Sequence, residues 1–281
     1  MNVIITLTTI PERLQSSYSY DMRFCIKSLL DQNYTKKYEV HLNIPNVYKK
    51  TGDSYIIPEW LEEIDDSKLK IFRTDDYGSI TKIIPTLQRL TEPDDIIIVV
   101  DDDMIYHPEL INEHIKNRKQ WPDYAVGYDG IRSRNIDGTF ASTYNDNRNY
   151  YVTATGRNTL VDILQHYKSV SYRRRFFESD FYSFIEDNGT WCDDTCISAY
   201  FASKNRGRLV TFYENDKVFD DYEKYLENIS FSFPITKYIE HGSLEGCNLN
   251  RADKDVVSEE KHTILYKKYL DVSYSNKSWT I

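Results

Sequence analysis

The stretch that decides the fold is Asp94-Asp95-Ile96-Ile97-Ile98-Val99-Val100-Asp101-Asp102-Asp103, which changes within one residue from an apolar run to three carboxylates. Five β-branched residues in succession lack the alternation of a half-exposed strand, and they predict a strand buried on both faces within a parallel sheet. Ligands of open α/β sheets bind beyond the carboxyl ends of such strands, where these three aspartates lie. Since adjacent carboxylates repel one another, the pattern indicates a bound divalent cation, and a solvated acidic turn is the alternative.

The segments before this stretch alternate between strand and helix patterns. Apolar runs that end at proline or polar clusters predict strands at residues 2–6, 38–44 and 69–73. Between them, apolar residues recur at helical spacing over residues 19–32 and 80–90. Four strands at regular intervals with helices between them are typical of a parallel βαβ sheet.

The second half of the chain has a looser pattern. We expect a helix over residues 104–119, a loop rich in Gly, Ser, Asn and Asp over residues 129–149, and a helix over residues 191–201. Apolar segments at residues 150–155 and 160–164 are expected to return to the core. The sequence contains neither an internal repeat nor a low-complexity linker.

The composition limits the classes of function. With 35 Lys+Arg against 44 Asp+Glu the net charge is -9, which argues against a protein that holds nucleic acid mainly through phosphate contacts. The longest apolar run extends from Ile96 to Val100, far short of the roughly 20 residues that span a bilayer. The first residues lack a signal-peptide layout, so we expect no membrane span and a soluble, cytoplasmic protein. Four cysteines without a CxxC pair favour buried free thiols over a zinc site.

The three adjacent aspartates are the first candidate site. On an extended backbone Asp101 and Asp103 point to the same side, so that both could reach one cation, or one cation and a ribose, while Asp102 points elsewhere. Aspartate is short and is held here by the end of a strand. These properties suit Mg²⁺ or Mn²⁺, which keep coordination positions open for phosphate oxygens.

Two further groups of polar residues are candidates for chemistry. Asp193 and Asp194 stand at the start of a predicted helix, where one carboxylate could serve as N-cap. Two in succession are more than a cap needs, and a carboxylate near a cation site could act as general base toward a hydroxyl. His241 lies in a polar segment near the C-terminus, where it is either a surface or core histidine or a metal ligand.

Five motifs follow one another along the chain: ITLTTIPER (residues 5–13), SLLDQ (28–32), PEWL (58–61), DYGSITK (76–82) and VDDDMIY (100–106). Together they resemble those of a GT-A glycosyltransferase. More narrowly, they are similar to a "TTIPxR … DDDxxY" group of bacteria and large DNA viruses that includes a chlorovirus rhamnosyltransferase domain. The resemblance covers residues 3–106 closely and residues 150–205 loosely.

The resemblance implies a fold and a domain organisation. The fold class would be α/β, a GT-A or Rossmann-like, mostly parallel central sheet flanked by helices, with a smaller acceptor-side region. Residues 1–215 would form the catalytic domain, with a nucleotide-sugar-binding half up to residue 106 and an acceptor-side half after it. Residues 216–281 would form a C-terminal extension packed on the same domain.

The resemblance also implies roles for individual residues. A nucleotide-sugar would lie across the carboxyl edge of the sheet, with Mn²⁺ or Mg²⁺ against its diphosphate. Asp103 would be the principal metal ligand, Asp101 would contact metal or ribose, Asp102 would lie beside the donor, and His241 would complete the metal shell. Asp194, the second acid of its pair, would be the catalytic base. The nucleotide pocket would be lined by Thr8, Thr9, Arg13, Asp76 and Lys82.

The expected function is that of a metal-dependent, inverting glycosyltransferase. It would move a sugar from a nucleoside-diphosphate-sugar, with UDP favoured as carrier, to a hydroxyl of a carbohydrate or glycan acceptor. Ser79 departs from the family, where proline is common, and residues 129–180 align too little to identify the acceptor. The alternatives are a nucleotidyltransferase with the same sheet architecture and a non-catalytic carbohydrate-binding module, with a metal-dependent hydrolase or nuclease ranked lowest.

Overall fold

The computed structural model of this chain describes residues 1–15, 22–132, 150–153, 158–188 and 192–211. No helix in these ranges has both the length and the apolar composition that a bilayer span requires. The predicted extension at residues 216–281, and His241 with it, lies outside the described residues.

The strands are β1 (Val3–Thr8), β2 (Glu39–Pro45), β3 (Leu69–Thr74), β4 (Ile96–Val99), β5 (Ala125–Gly127), β6 (Asp129–Arg132), β7 (Tyr150–Thr153), β8 (Thr159–Leu160), β9 (Ile163–Leu164), β10 (Val170–Arg173) and β11 (Arg208–Val210). The α-helices are α1 (Pro11–Leu14), α2 (Met22–Leu30), α3 (Glu59–Glu62), α4 (Ile84–Arg89), α5 (Leu110–Gln120), α6 (Phe181–Asn188) and α7 (Asp193–Ser203).

The central sheet has eight strands in the order β3-β2-β1-β4-β10-β5-β11-β8. The first four strands are parallel to one another, as the alternating strand and helix patterns predicted. Strand β10 runs antiparallel to both of its neighbours, β4 and β5, and β8 runs antiparallel to β11. Because β10 enters the sheet in the opposite direction, the residues before it lie at the same edge as the residues that follow β4.

The apolar run before the three aspartates forms β4, and both of its faces are buried. Ile96 and Ile98 belong to a hydrophobic core that also contains the apolar face of α2. Ile97 and Val99 belong to a second core, on the opposite face of the sheet, that contains residues of α6 and α7. Burying such a side chain contributes about 2 kcal/mol, so the unbroken run is explained by helices packed on both sides.

A second sheet of three strands, in the order β7-β6-β9, stands beside the central one. Its strands are antiparallel, and Gly130 in β6 allows β9 to come close, because an added Cβ would lie 2.7 Å from the Ile163 carbonyl oxygen. The predicted fold class is therefore confirmed: an α/β fold with a mostly parallel central sheet, flanking helices and a smaller region.

Two predictions of local structure are wrong. The helix expected over residues 104–119 begins only at Leu110, because Tyr106 turns inward and its N–H donates to the Ser28 hydroxyl (3.0 Å). Residues 129–132, expected to be loop, form strand β6. There the Asp and Gly that suggested a turn instead allow a close strand pair, so composition alone was misleading.

A buried polar network lies beneath the carboxyl edge of the sheet. The Asn43 side-chain amide on β2 donates to the hydroxyls of Thr6 (3.0 Å) and Thr86 (3.1 Å) and to the carbonyl oxygen of Lys82 (3.2 Å). Arg89 in turn donates to the Asn43 amide oxygen (2.6 Å). These bonds join β1, β2, the turn at Lys82 and α4, and they fix the backbone that presents the Lys82 side chain.

We predict that Asn43→Ala lowers the free energy of unfolding by about 2–3 kcal/mol, because it leaves several buried polar groups without their partner. The measurement is urea denaturation followed by circular dichroism. The control is Asn33→Ala, which removes an exposed amide bonded to Glu109 and is expected to change stability by less than about 0.5 kcal/mol. Equal effects of the two substitutions would contradict the role given to the network.

Candidate active site

The candidate site lies at the carboxyl edge of the central sheet, between β1, β4 and β10. The acid triplet follows β4, the short helix α1 follows β1, and residues 166–169 precede the antiparallel β10. The N-terminus of α7 reaches the same place, since Asp193 and His166 are in contact. Segments from four distant parts of the sequence therefore meet at one edge.

The acid triplet is paired with an arginine and a lysine. Arg13 of α1, itself buried, contacts Asp102 through Nη1 and lies 3.2 Å from Asp103 Oδ2 through Nη2. Lys82 contacts Asp101. The expectation that Asp102 points away from Asp103 fails, because the strand ends at Val99 and the alternation of side chains ends with it.

Tyr106 holds the backbone of the triplet in place. Its hydroxyl accepts a hydrogen bond from the Asp101 N–H (2.9 Å) and lies 3.0 Å from the Tyr167 carbonyl oxygen, to which it can donate. This one side chain links the turn after β4 to the turn before β10. The tyrosine of the DDDxxY motif therefore has a physical role in shaping the site.

The surroundings of Asp103 shift its pKa upward. Burial and the neighbouring charge of Asp101 raise the pKa of the Asp103 carboxyl to about 7, although Arg13 opposes this shift. Near neutral pH a proton and a cation thus compete for this carboxylate. Such competition is expected at a carboxylate that binds a divalent metal.

Lys82 joins the acid triplet to the acids of α7. Its ammonium contacts Asp101 and lies 2.8 Å from Asp193 Oδ2, and 8% of its side chain is exposed. Burial alone would lower the pKa of Lys82, but Asp101, Asp193 and Asp194 raise it well above its ordinary value. The lysine is therefore a fixed positive charge between two groups of carboxylates.

His166 contacts both acids of α7. Its Nδ1 lies 2.7 Å from Asp193 Oδ2 and 2.6 Å from Asp194 Oδ1, although neither oxygen lies along the N–H direction. Its backbone N–H also donates to Asp194 Oδ1 (2.9 Å), and its Nε2 lies 2.8 Å from the Tyr172 hydroxyl. Burial alone would lower the pKa of His166, but the two aspartates raise it to about 9. The ring is therefore a cation at neutral pH.

The two adjacent acids of α7 have different environments. Asp193 lies between Lys82 and His166, which hold the pKa of its carboxyl far below the ordinary value despite burial. Burial and the charge of Asp193 raise the pKa of Asp194. Neither residue is the N-cap, which is Cys192, so the capping alternative does not apply.

Asp194 is the more exposed acid of this pair. Its Oδ1 is held by the backbone and ring of His166, whereas its Oδ2 makes no hydrogen bond within the described residues. Nineteen per cent of its side chain is exposed, against 9% for Asp193. Asp194 can thus accept a proton from a molecule in the site.

Three residues predicted to line the nucleotide pocket are held by local hydrogen bonds. Asp76 accepts from the N–H groups of Lys49 (2.8 Å) and Gly78 (2.7 Å), and so organises the turn that leads to Lys82. Gly78 has φ +69 in this turn, a conformation that favours glycine. The Thr8 hydroxyl donates to the Asn43 carbonyl oxygen (2.7 Å), and the carbonyl of the buried Thr9 accepts from Tyr55 (2.9 Å).

Among the described residues, one set of side chains brings three ligand atoms close enough to hold a cation: His166, Asp193 and Asp194, whose ligand atoms lie within 4.8 Å of one another. A metal there would have to displace the proton of His166, and Lys82 already offsets Asp193. The acid triplet does not form such a group, and its carboxylates are in contact with Lys82 and Arg13. Its oxygen ligands are still the type that suits Mg²⁺ or Mn²⁺, and the buried Asp102 Oδ2 has no hydrogen-bond partner among the described residues.

Sequence reasoning brought most of these residues together but missed two. The structure places Arg13, Lys82 and the triplet next to one another, and Asp194 beside Asp193, which contacts Lys82. His166 and Tyr172 carried no recognisable signal. Their position depends on β10 inserting antiparallel between β4 and β5, which local patterns do not reveal.

No protein-family model and no curated protein matches this sequence. Among solved structures, the 4-diphosphocytidyl-2C-methyl-D-erythritol synthase of Anaerococcus prevotii is 11% identical, with a TM-score of 0.47 over 80% of this chain and 96% of that one. S. aureus TarS 1-349 is 12% identical, with a TM-score of 0.43 over 79% of this chain and 63% of that one. The Francisella tularensis 2-C-methyl-D-erythritol 4-phosphate cytidylyltransferase is 11% identical, with a TM-score of 0.44 over 80% and 99%. These likenesses concern the course of the chain and not its substrates.

Proposed function

We propose that this chain is a metal-dependent, inverting glycosyltransferase of the TTIPxR … DDDxxY group. It transfers a sugar from a nucleoside-diphosphate-sugar, with UDP favoured by the resemblance, to a hydroxyl of a carbohydrate acceptor. One observation carries the proposal: Lys82 contacts Asp101 and Asp193 at once. The acid triplet and the start of α7, where Asp193 precedes the candidate base Asp194, therefore share one site.

The net negative charge of the site favours the binding of a divalent cation, which would allow a diphosphate to bind as well. Five carboxylates (Asp101, Asp102, Asp103, Asp193 and Asp194) accompany three cations (Arg13, Lys82 and His166), a formal excess of two negative charges when all carboxylates are ionised. A divalent cation cancels this excess. A diphosphate could then approach without facing a net negative site.

The chain's own residues hold the donor. Asp103 and Asp101 are the ligands for Mg²⁺ or Mn²⁺, and a bound cation would offset charge on the departing nucleoside diphosphate. Lys82 and Arg13 add fixed positive charge beside it. The resemblance adds Thr8, Thr9, Asp76 and Asp102 on the nucleotide side and His241 to the metal shell.

Asp194 is the base that activates the acceptor. Its Oδ2 takes the proton of the acceptor hydroxyl, the acceptor oxygen forms a bond to the anomeric carbon, and the bond to the diphosphate oxygen breaks with its electron pair on the diphosphate. Attack from the face opposite the leaving group inverts the anomeric carbon. The raised pKa of Asp194 suits this role, since a stronger base removes the proton more readily.

We predict that Asp103→Ala loses metal-dependent binding of a nucleoside diphosphate. Calorimetric titration of UDP and of GDP, each with Mn²⁺ and with EDTA, should show binding to the wild type only with metal, weakened at least about tenfold in the variant, because a ligand oxygen is lost. Asp123→Ala, which changes an exposed acid on the other edge of the sheet, is the control and should bind like the wild type.

The same titration separates the alternatives. Unchanged affinity in Asp103→Ala would remove the triplet from the donor site. A wild type that binds no nucleotide at all would favour a carbohydrate-binding module. Release of pyrophosphate from a nucleoside triphosphate and a sugar phosphate would instead identify a nucleotidyltransferase.

We predict that Asp194→Asn lowers kcat for sugar transfer at least about a hundredfold and leaves the affinity for donor and metal within about twofold. The amide preserves the shape of the side chain but cannot accept the acceptor's proton. Asp187→Asn on the exposed face of α6 is the matched control and should transfer like the wild type. Near wild-type transfer by Asp194→Asn would exclude this residue as the base.

We predict an acidic limb in the pH profile of kcat, measured at saturating donor and metal. Asp194 works only when ionised and its pKa is raised, so the rate should fall as pH falls, with a midpoint above the ordinary aspartate value of about 4. The residual activity of Asp194→Asn should lack this limb. A profile that stays flat down to pH 4 would contradict the assignment.

A further inference from the structure

We infer that His166 is a positioning residue that aims the Asp194 carboxylate at the acceptor, and that Tyr172 holds the His166 ring in place for this task. This inference rests on the proposed function and deepens it. His166 does not touch the reacting atoms in this account. It acts through Asp194.

Two nitrogens of one residue lie close to a single oxygen of Asp194. The backbone N–H of His166 donates to Oδ1 (2.9 Å), and the ring Nδ1 lies 2.6 Å from the same atom. The Asp194 carboxylate cannot rotate without losing both contacts. Its other oxygen, Oδ2, makes no hydrogen bond within the described residues, and so it is left for an acceptor.

The opposite side of the ring is anchored in the core. His166 Nε2 lies 2.8 Å from the hydroxyl of Tyr172, a residue of β10 that is 1% exposed and pairs with Ile97 in the central strand. The Tyr172 ring packs against Phe177 and Phe201, with centroids 5.3 and 5.2 Å away. The position of the base is thereby tied to β10 and to the buried central strand β4.

His166 also separates two charges that would otherwise repel. Asp193 and Asp194 are adjacent in sequence, and the ring lies between an oxygen of each. Without the ring, Lys82 is the only other basic group in contact with this pair within the described residues, and it contacts Asp193. Asp194 would then gain most by turning toward Lys82 and away from the acceptor.

Three substitutions at these positions test the inference. His166→Leu removes every side-chain contact, His166→Asn keeps an N–H donor at the position of Nδ1, and Tyr172→Phe removes only the anchoring hydroxyl. We expect kcat to fall about a hundredfold or more in His166→Leu, to recover about tenfold of that loss in His166→Asn, and to fall about fivefold in Tyr172→Phe. The affinities for Mn²⁺-dependent UDP binding and the KM for donor should stay within about twofold.

Matched controls remove the same groups elsewhere in the core. His41→Leu deletes another buried histidine, whose Nε2 lies 3.1 Å from the Glu39 carboxylate, and Tyr128→Phe deletes a buried hydroxyl that bonds Asn117 (3.1 Å). Both should lower thermal stability and leave kcat within about twofold. A loss of kcat in these controls equal to that in His166→Leu would mean that general destabilisation explains the effect, and it would overturn the inference.

Crystal structures of the wild type and His166→Leu supply a readout that is independent of activity. We expect Asp194 to change rotamer in the variant, with Oδ1 displaced from the His166 backbone N–H. An unchanged Asp194 overturns the inference, whether or not the wild type transfers sugar. If the wild type transfers no sugar, the proposed function is wrong. The effect of His166 on Asp194 is then tested by the Asp194 rotamer alone. Loss of Mn²⁺ affinity in His166→Leu would also overturn it, in favour of a cation bound by His166, Asp193 and Asp194.

Discussion

The structure of the site depends on one buried ammonium group, that of Lys82. It contacts Asp101, which follows the central strand, and Asp193, which begins α7 92 residues later. Buried charges are tolerated only when partners of opposite sign lie close. Lys82 and Asp193 are both buried, so each keeps its charge only with partners of opposite sign: Asp101 and Asp193 for the lysine, Lys82 and His166 for the aspartate. These contacts fix the end of β4 against the start of α7.

The sheet beneath is built to hold that lysine. The apolar residues of β4 bury both faces of the central strand, and polar side chains take over where the strands end. The Asn43 amide donates hydrogen bonds to the hydroxyls of Thr6 and Thr86 and to the Lys82 carbonyl oxygen. These hydrogen bonds restrict the conformation of the turn that carries the lysine. Such networks make a conformation unique when every member is satisfied. Asp76 also stabilises this turn, because its carboxylate accepts a hydrogen bond from the Gly78 N–H.

The parts of this structure that were predictable from the sequence are those encoded locally. Five β-branched residues followed by aspartates are enough to place a central strand and a site at its end, because burial and charge change within one residue there. The directions of the side chains in the acid triplet were predicted less well. Alternation predicted that Asp102 would point away from Asp103, yet both contact Arg13, since the extended backbone ends before them.

The residues that escaped prediction belong to long-range order. His166 reaches the site because β10 runs antiparallel next to β4, and Tyr172 reaches His166 because it lies within that strand. Neither residue has a neighbour in sequence that suggests chemistry. In contrast, Asp193 and Asp194 were visible as a pair, and the resemblance singled out Asp194. The contacts with Lys82 and His166 that distinguish the two acids were not predicted.

The α7 helix explains how two identical neighbours acquire opposite properties. Successive residues of an α-helix point about 100° apart, so Asp193 turns toward Lys82 in the interior while Asp194 is more exposed. The interior position, with two cations, keeps Asp193 ionised and inert as a structural anion. The outer position, beside that fixed negative charge, raises the pKa of Asp194 and makes it the better proton acceptor. A pair of carboxylates whose surroundings drive their pKa values apart can separate charge stabilisation from proton transfer. In this chain the geometry of a single helical turn separates the two environments.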